Sequence, residues 1–184
     1  MKEIRIHARA GQGAITTAVL LSMAAFREGR HALAFPHFGA ERMGAPMNAY
    51  VRLTEGEEKT IRARSEVTNP DYVIVLDETL LEAFDVAEGM GPEGIIIIDS
   101  SKKPEELGIE TQAKVYTVPG SQIAMETIGR RLSNTSLLGA FAATGELKQE
   151  SVIESVKERF PGRVGEANAQ AVRRAYEHIK GGGR

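Results

Sequence analysis

The chain has 184 residues and a formal net charge of −2, with 42% hydrophobic and 26% charged residues. These values are typical of one soluble globular domain, which we assign to residues 1–180, with a flexible glycine-rich tail at 181–184. The charge does not favour nucleic acid or an anionic membrane, and no apolar stretch reaches the length of a membrane-spanning helix. The N-terminus enters a strand-like pattern without a signal-peptide region, so we expect a cytoplasmic protein.

The sequence contains no cysteine. Because iron–sulfur clusters are held by cysteine thiolates, we expect none in this chain, and disulfides and Cys-type zinc sites are excluded as well. The four histidines lack a metal-binding spacing, although a site assembled in three dimensions stays open: His7, His31, His37 and His178. We predict no metal site, so another chain must supply any redox carrier.

The N-terminal segment predicts the start of a nucleotide-type α/β fold. Residues 2–8 alternate between apolar and polar side chains, which indicates a strand. A glycine turn at 10–13 follows, and Gly29 suits the position just past the end of the next helix. That helix runs to about residue 26 and carries a stripe of small and apolar side chains: Ile15, Ala18, Val19, Ser22 and Phe26.

The middle of the chain predicts the remaining strands. Residues 31–35 form a second strand, and the alternation of 47–53 and 59–64 predicts a β-hairpin, so part of the sheet is antiparallel. The apolar runs 72–76 and 95–98 are typical of parallel strands covered by helices on both faces, and 115–118 is a further short strand.

The last third of the sequence is helical. Four helices are predicted, at about 120–132, 136–144, 149–160 and 166–179, separated by serine, asparagine, glycine and proline breaks. The fold class is therefore α/β: a three-layer α/β/α arrangement with a mixed, largely parallel sheet, a Rossmann-like start and a helical C-terminal third.

The glycine turn is the first candidate binding site. Gly11 and Gly13 flank Gln12 between a strand and a helix, where glycine allows close approach of a ligand and the helix N-terminus offers free N–H groups to a phosphate. Thr16 adds a hydroxyl in the first turn. The alternative is a tight turn that binds nothing, because a short Gly-x-Gly motif is weak by itself.

Two specific nucleotide motifs are not present. Thr16 stands where a dinucleotide fingerprint needs its third glycine, and no carboxylate ends the second strand at Phe35-Pro36-His37. The Gly-x-x-x-x-Gly-Lys-Ser/Thr pattern is missing as well. These observations disfavour NAD and exclude ATP binding through a P-loop.

An irregular loop between the second and third strands is the second candidate. Its Glu41 and Arg42 are adjacent, and Arg42 could hold a carboxylate or phosphate through two hydrogen bonds. The alternatives are a local ion pair that shapes the loop, or a contact to a partner chain. The segment 35–47 is rich in Phe, Met, Gly and Pro, so we expect it to form an interface that includes Phe38 and Met43.

These motifs resemble, in order and spacing over nearly the whole chain, the gamma subunits of pyruvate or 2-oxoisovalerate:ferredoxin oxidoreductases. The residues that carry the resemblance are Arg9-Ala10-Gly11-Gln12-Gly13-Ala14, Phe35-Pro36, Gly39-Ala40-Glu41-Arg42, Gly44-Ala45-Pro46, Asn69-Pro70-Asp71, Leu76-Asp77-Glu78-Thr79-Leu80-Leu81, Asn134-Thr135, Leu138-Gly139-Ala140, Asn168 and Arg173-Arg174-Ala175-Tyr176-Glu177. The chain departs from the usual family pattern at Ala8, where a glycine is common, and at Met43, where arginine or threonine is frequent.

The resemblance implies a division of labour within a complex. The family enzymes decarboxylate a 2-oxoacid on thiamine diphosphate in the alpha and beta chains. They pass electrons through [4Fe-4S] clusters, in a ferredoxin-like delta chain or its equivalent, to ferredoxin, and they deliver the acyl group to CoA. The gamma chain is then expected to be inactive alone and to contribute to CoA binding and assembly, with no catalytic residue of its own.

The CoA contacts implied by this interpretation are Gly11, Gln12, Gly13, Thr16 and Arg42. Three alternatives stay open at this point. The chain could be the gamma-type subunit of a 2-oxoglutarate oxidoreductase, the corresponding chain of an indolepyruvate oxidoreductase, or a purely structural assembly subunit.

Overall fold

The computed structural model describes residues 1–37, 43–55 and 61–182. The strands are β1 (Lys2–Arg9), β2 (Ala32–His37), β3 (Pro46–Leu53), β4 (Tyr72–Val75), β5 (Ile95–Asp99) and β6 (Lys114–Val118). The α-helices are α1 (Ala14–Arg27), α2 (Gly120–Ile128), α3 (Asn134–Ala143), α4 (Gln149–Arg159) and α5 (Arg163–Lys180). Two short 3-10 helices span Glu78–Glu82 and Pro104–Leu107.

The strands form a mixed sheet in the order β2-β3-β1-β4-β5-β6. The ladders β1–β4, β4–β5 and β5–β6 are parallel. Strand β3 lies antiparallel between β1 and β2. The α/β class with a mixed, largely parallel sheet is therefore confirmed, and its antiparallel part is the β2–β3–β1 end.

The main core lies on one face of the sheet. The alternate residues Ile4 and Ile6 of β1, Ile74 of β4 and Ile97 of β5 point to this face, and all five α-helices contribute side chains to the core on it. The opposite face carries Val73, Val75, Ile96 and Ile98, which pack against residues of the 81–90 and 107–113 segments. The predicted third layer is thus built of the two 3-10 helices and irregular chain around them rather than of α-helices.

The predicted hairpin between 47–53 and 59–64 is wrong for the described part of its second strand. Residues 61–64 are not a strand, and β3 pairs with β2 instead, from Ala32 opposite Leu53 to His37 opposite Asn48. The Arg52 guanidinium donates to the backbone oxygens of Ala63, at 2.8 Å, and Ser65, at 2.9 Å. A side chain of β3 therefore binds this segment where we expected a strand ladder.

The helix boundaries follow the local signals closely. Gly29 lies just past the end of α1 with a φ of 75°, as its sequence position predicts. Helix α2 ends at Ile128, earlier than expected, because Gly129 adopts a left-handed conformation (φ 78°) and stops it. Residues 183–184 of the predicted tail lie outside the described residues. Among the described helices, none has both the length and the apolar character needed to cross a membrane.

Candidate functional site

The glycine turn joins β1 to α1 in the conformation that its glycines require. Gly11 and Gly13 have φ values of 98° and 87°, in the left-handed region, and Gly13 is the N-cap residue of α1. A Cβ on Gly13 would lie 2.8 Å from Asn134 Nδ2, and one on Gly11 would lie 2.8 Å from Met43 Sδ. The groups that come close to these two glycines are side chains of the same chain, where the sequence predicted a ligand.

Gln12 connects the turn to the end of β4. Its Oε1 accepts a hydrogen bond from the Arg9 N–H at 2.7 Å, and its Nε2 donates to Asp77 Oδ2 at 2.7 Å. These two hydrogen bonds hold the shape of the turn, and one N–H and one lone pair of the amide remain for a ligand beside the backbone N–H groups of the turn.

Asp77 is a site residue to which the sequence reasoning assigned no role. It lies two residues after the end of β4 and is the N-cap residue of the first 3-10 helix, where it accepts hydrogen bonds from the Thr79 N–H, at 3.0 Å, and the Thr79 Oγ1, at 2.7 Å. Burial alone would raise its pKa, but the hydrogen bonds from Thr79 and Gln12 and the charge of Arg9 outweigh burial and lower it. An aspartate two residues before a threonine at a strand end is a capping signal that could have identified it.

A cleft opens beside this turn at the carboxyl ends of the parallel strands, where α/β proteins commonly bind ligands. It has a volume of about 660 Å³. Its lining comes from the turn, from the ends of β4, β5 and β6, from α2 and from the segment after α2: Gln12, Leu76, Asp77, Glu78, Asp99, Ser100, Ser101, Lys102, Pro119, Ser121, Gln122, Met125, Glu126 and Arg131.

Three helices begin beside this cleft. At the start of α2, the Ser121 N–H donates to Asp99 Oδ1 at 2.9 Å, and the Ser121 hydroxyl binds Asp99 Oδ2. Within the described ranges no side chain caps the start of α1 or α3, and the two helices meet where Asn134 packs against Gly13. The first N–H groups of α1 are therefore free of a side-chain cap, and their partial positive charge favours an anion, whereas the first residues of α3 are buried.

The charged side chains of the cleft are mostly neutralised within the protein. Glu78 accepts a hydrogen bond from Ser100, which is the main reason that its pKa is lowered, and Lys102 Nζ lies 3.0 Å from its Oε1. Arg131 lines the cleft and takes part in none of the ion pairs found among the described residues. Arg131 is therefore the cation of the cleft best placed to meet an incoming anion.

The structure brings together four of the five predicted contacts. Gly11, Gln12, Gly13 and Thr16 share the β1–α1 turn and the first turn of α1, although only Gln12 lines the cleft itself. Arg42 lies outside the described residues. Arg131 was missed, and the one signal that pointed to it was an Arg-Arg pair near the end of a predicted helix.

Comparison with known proteins gives matches over almost the whole chain. A family model described as pyruvate ferredoxin/flavodoxin oxidoreductase matches residues 3–178. The pyruvate synthase subunit PorC of Methanosarcina barkeri is 52% identical over 182 residues, with 98% of each chain covered. The pyruvate/ketoisovalerate oxidoreductases common subunit gamma of Pyrococcus abyssi is 46% identical, with 96% of each chain covered.

Solved structures agree with these relatives. The crystal structure of pyruvate oxidoreductase subunit PORC from Thermotoga maritima has a TM-score of 0.83 at 38% identity and covers 96% of this chain and 95% of that chain. The 2-oxoglutarate:ferredoxin oxidoreductase of Magnetococcus marinus, solved with 2-oxoglutarate, coenzyme A and succinyl-CoA, has a TM-score of 0.78 at 21% identity. It shares the fold, which covers 98% of this chain but 31% of that chain.

The resemblance inferred from the sequence is confirmed, because relatives similar to nearly the whole chain are gamma subunits of such enzymes. The chain belongs to the pyruvate ferredoxin/flavodoxin oxidoreductase family.

Proposed function

We propose that the chain is the gamma subunit of a multi-subunit 2-oxoacid:ferredoxin oxidoreductase. This enzyme converts pyruvate or a related 2-oxoacid, with CoA and oxidised ferredoxin, to acyl-CoA, CO2 and reduced ferredoxin. The observation that carries the proposal is the match, over 96% or more of both chains, to subunits named for such enzymes. The Pyrococcus relative is named as a subunit common to pyruvate and ketoisovalerate oxidoreductases, so in that organism the subunit serves more than one 2-oxoacid enzyme.

The lack of cysteine ligands in this chain supports a division of labour among subunits. A chain without cysteine has no thiolate for a [4Fe-4S] cluster, so the clusters belong to a ferredoxin-like delta chain or its equivalent. Alpha and beta chains would hold thiamine diphosphate, and ferredoxin would accept the electrons of the assembled enzyme. The role left to this chain is to bind CoA and to join the assembly.

The proposal is tested by purifying the chain alone and together with its partner chains. The chain alone should be colourless and should not reduce a viologen with pyruvate and CoA. The complex should do so, and omission of this chain should abolish the activity. A brown isolated chain, or full activity of the complex without it, would contradict the assignment.

The cleft beside the glycine turn is the proposed path of CoA. CoA carries several phosphate charges, and the N-terminus of α1, which no side chain caps among the described residues, offers N–H groups that bind anions without a buried cation. Arg131 adds a guanidinium that forms no ion pair within the described ranges, and its geometry matches a phosphate through two hydrogen bonds. Gly11, Gln12, Gly13 and Thr16 would shape the path through the backbone, and Arg42 is proposed to reach the same ligand.

Two substitutions could test the CoA path, and they differ in how much they disturb the fold. A Gly13→Val change would block the turn, but its side chain would also clash with Asn134, and a β-branched residue would have to adopt a φ of 87°. Arg131→Gln is cleaner, because the side chain is exposed, and Arg130→Gln is a matched control that removes a neighbouring exposed charge outside the cleft.

In the assembled enzyme, Arg131→Gln should raise the KM for CoA about tenfold, the typical effect of losing a charge-assisted hydrogen bond. CoA-independent decarboxylation should be unchanged, and Arg130→Gln should leave both half-reactions unchanged. An unchanged KM in Arg131→Gln and also in Gly13→Val would favour the alternative of a purely structural subunit.

The segment 35–47 is proposed as one contact with the partner chains. Met43 is 88% exposed, which is unusual for a large apolar side chain and is expected of an interface residue. Met43→Asp should weaken assembly with the alpha and beta chains while the isolated chain keeps its unfolding temperature. An isolated variant that unfolds would show that Met43 supports its own domain instead. Phe38, the other side chain predicted here, lies outside the described residues.

A further inference from the structure

Helix α1 carries apolar side chains on two opposite sides. One side packs into the core through Ala18, Leu21 and Ala25, which are at most 2% exposed. The opposite side carries Val19 and Phe26, of which Phe26 is 73% exposed. A helix that is hydrophobic beyond its core-facing stripe is normally buried there as well, so this outer side is expected to be covered by another molecule.

The outer side of α1 borders an open groove at the β2 edge of the sheet. The groove has a volume of about 720 Å³. Its floor consists of small and apolar side chains of α1 and β2, and charged side chains of α1 and α4 form its rim: Val19, Ser22, Met23, Phe26, Arg27, Ala32, Ala34, Glu154 and Glu158.

The outer edge of β2 offers unpaired backbone groups along this groove. Among the described residues no strand pairs with that edge. The Thr54 N–H donates to the His31 oxygen at 2.9 Å, so the odd-numbered residues of β2 direct their backbone groups toward β3. The N–H and C=O groups of Ala32 and Ala34 therefore point away from β3. Pro36 has the same orientation, but it has no N–H to pair.

The rim of the groove carries a net negative charge. Arg27 Nη1 lies 3.1 Å from Glu154 Oε2, and Arg27 also binds Glu158. Two carboxylates thus share one guanidinium, and both glutamate side chains are more than half exposed. A second copy of this chain would bring a second negative rim across a two-fold axis, whereas a partner with a basic side chain would neutralise it.

We propose that an extended apolar segment of a partner subunit adds to the outer edge of β2, packs on Val19 and Phe26, and places a basic side chain at Glu154 and Glu158. The edge supplies the hydrogen bonds of an added strand, and the side of α1 supplies the pocket for its alternate side chains. This inference rests on the proposed function, because it requires the chain to be a subunit of a complex.

The absence of native cysteine allows a direct test with single-cysteine variants. Phe26→Cys and Ala34→Cys report on the groove, and Val164→Cys, at a residue that is 55% exposed on α5, is the matched control. Each variant is treated with a maleimide, first as the isolated chain and then within the reconstituted complex. The rate of labelling is measured from the mass of this chain, so that cysteines of partner chains do not contribute. In the complex the two groove cysteines should react at least about tenfold more slowly, because the core of an interface excludes water, and the control should be unchanged.

The outcomes separate this inference from the proposed function. Assembly with full reactivity at Phe26→Cys overturns the docking of a subunit in the groove, while the proposed function stands. Slower labelling that depends on the concentration of the isolated chain shows a second copy as the occupant and overturns the inference as well. Failure of the wild-type chain to assemble with its partners contradicts the proposed function itself.

The charged rim is tested separately with the double variant Glu154→Gln and Glu158→Gln. Its complex should dissociate more readily at low salt and should lose part of the salt dependence of the wild type, because the attraction to the basic side chain is removed. An unchanged salt dependence would overturn the basic partner residue.

Discussion

One face of the sheet is covered by five α-helices, and the face toward Arg5 and His7 is covered by irregular chain. On the helical face the buried strand residues are apolar, as at Ile4 and Ile6. On the opposite face, β1 and β3 carry Arg5, His7 and Arg52, which are charged or polar and still at most 7% exposed. Along β1 and β3 the two faces therefore bury different kinds of side chain, whereas β4 and β5 bury apolar side chains on both faces.

The difference follows from how the covering segments satisfy their own backbones. A helix pairs its N–H and C=O groups internally, so the sheet beneath it needs only apolar side chains. Irregular chain leaves carbonyl groups without partners, and arginine can supply up to five donors from one side chain. Arg5 Nη2 donates to the Val86 oxygen, at 3.1 Å, and to the Glu88 oxygen, at 2.7 Å.

Arg52 does the same for the segment that follows β3. Its guanidinium binds the backbone oxygens of Ala63 and Ser65, and its Nε lies 2.6 Å from Glu3 Oε1. A buried arginine on this face thus replaces the backbone pairing that a strand or helix would have provided. Substitutions on each face, together with one at an exposed ion pair, test this difference between the two faces.

Arg52→Met should destabilise the protein most, through the irregular face. Methionine keeps an apolar stem near Phe35 but leaves buried carbonyl groups and Glu3 without their donor, so the free energy of unfolding should fall by about 4 kcal/mol. Urea unfolding of both proteins measures the change. A loss below about 1 kcal/mol would show that water replaces the guanidinium at little cost.

Gly139→Ala should test the packing of the helical face. A Cβ at this position of α3 would lie 2.0 Å from the Val172 oxygen of α5, so the two helices must move apart. We expect a loss of about 3 kcal/mol, the upper range of overpacking in a core. Gly91→Ala is the control, because no described residue lies within 4 Å of its added Cβ, and it should be neutral within about 0.5 kcal/mol.

His7 should make the irregular face sensitive to pH. Burial and the adjacent Arg5 lower its pKa from 6.5 to about 4. Between these values the unfolded chain binds a proton that the folded chain does not, so stability falls as the pH drops from about 6.5 to 4, and this group adds no further loss below pH 4.

His7→Gln keeps an acceptor for the Arg5 Nε and removes the titration. Over that pH range the wild type should lose about 2 to 3 kcal/mol more than the variant, since one pKa unit corresponds to about 1.4 kcal/mol. Thermal unfolding across the range measures both proteins. Parallel pH profiles would mean that His7 does not remain neutral in the folded chain.

Lys157→Met should change stability least and serves as the counterpart of Arg52→Met. Lys157 Nζ lies 2.8 Å from Glu166 Oε1, but both side chains are exposed on the outer surface of α4 and α5. An exposed pair of this kind contributes less than about 0.5 kcal/mol. A comparable loss in the two methionine variants would remove the distinction between a charge that binds buried backbone and a charge in solvent.

Local patterns predicted most of the elements and missed one pairing. The alternation of β1 and the apolar runs of β4 and β5 indicated strands correctly, because each pattern records the side chains that a strand buries. The alternation at 61–64 did not make a strand, and the Arg52 side chain binds the backbone oxygens of Ala63 and Ser65 there. Alternation of apolar and polar side chains predicts a strand in one segment but does not predict the strand with which it pairs.

The residues of the candidate site also fall into two groups, those that local sequence patterns predicted and those that they did not. Gly11 and Gly13 were recognisable because their left-handed conformation is a local requirement that glycine meets. The contact of Gln12 with Asp77 was not recognisable, because it joins residues 65 positions apart, and the same holds for the place of Arg131 at the cleft. Whether Gln12 is free for a ligand depends on that distant partner.

The family, the order of the elements and the position of the glycine turn follow from the amino-acid sequence, because these depend on short motifs and local periodicity. The direction in which the apolar stripe of α1 faces depends instead on tertiary packing. The stripe that predicted the helix includes Val19 and Phe26, yet those side chains lie outside the core, since a second apolar side of the same helix packs on the sheet. A helix with two apolar sides leaves its orientation to the packing of β2, β3 and α4 around it.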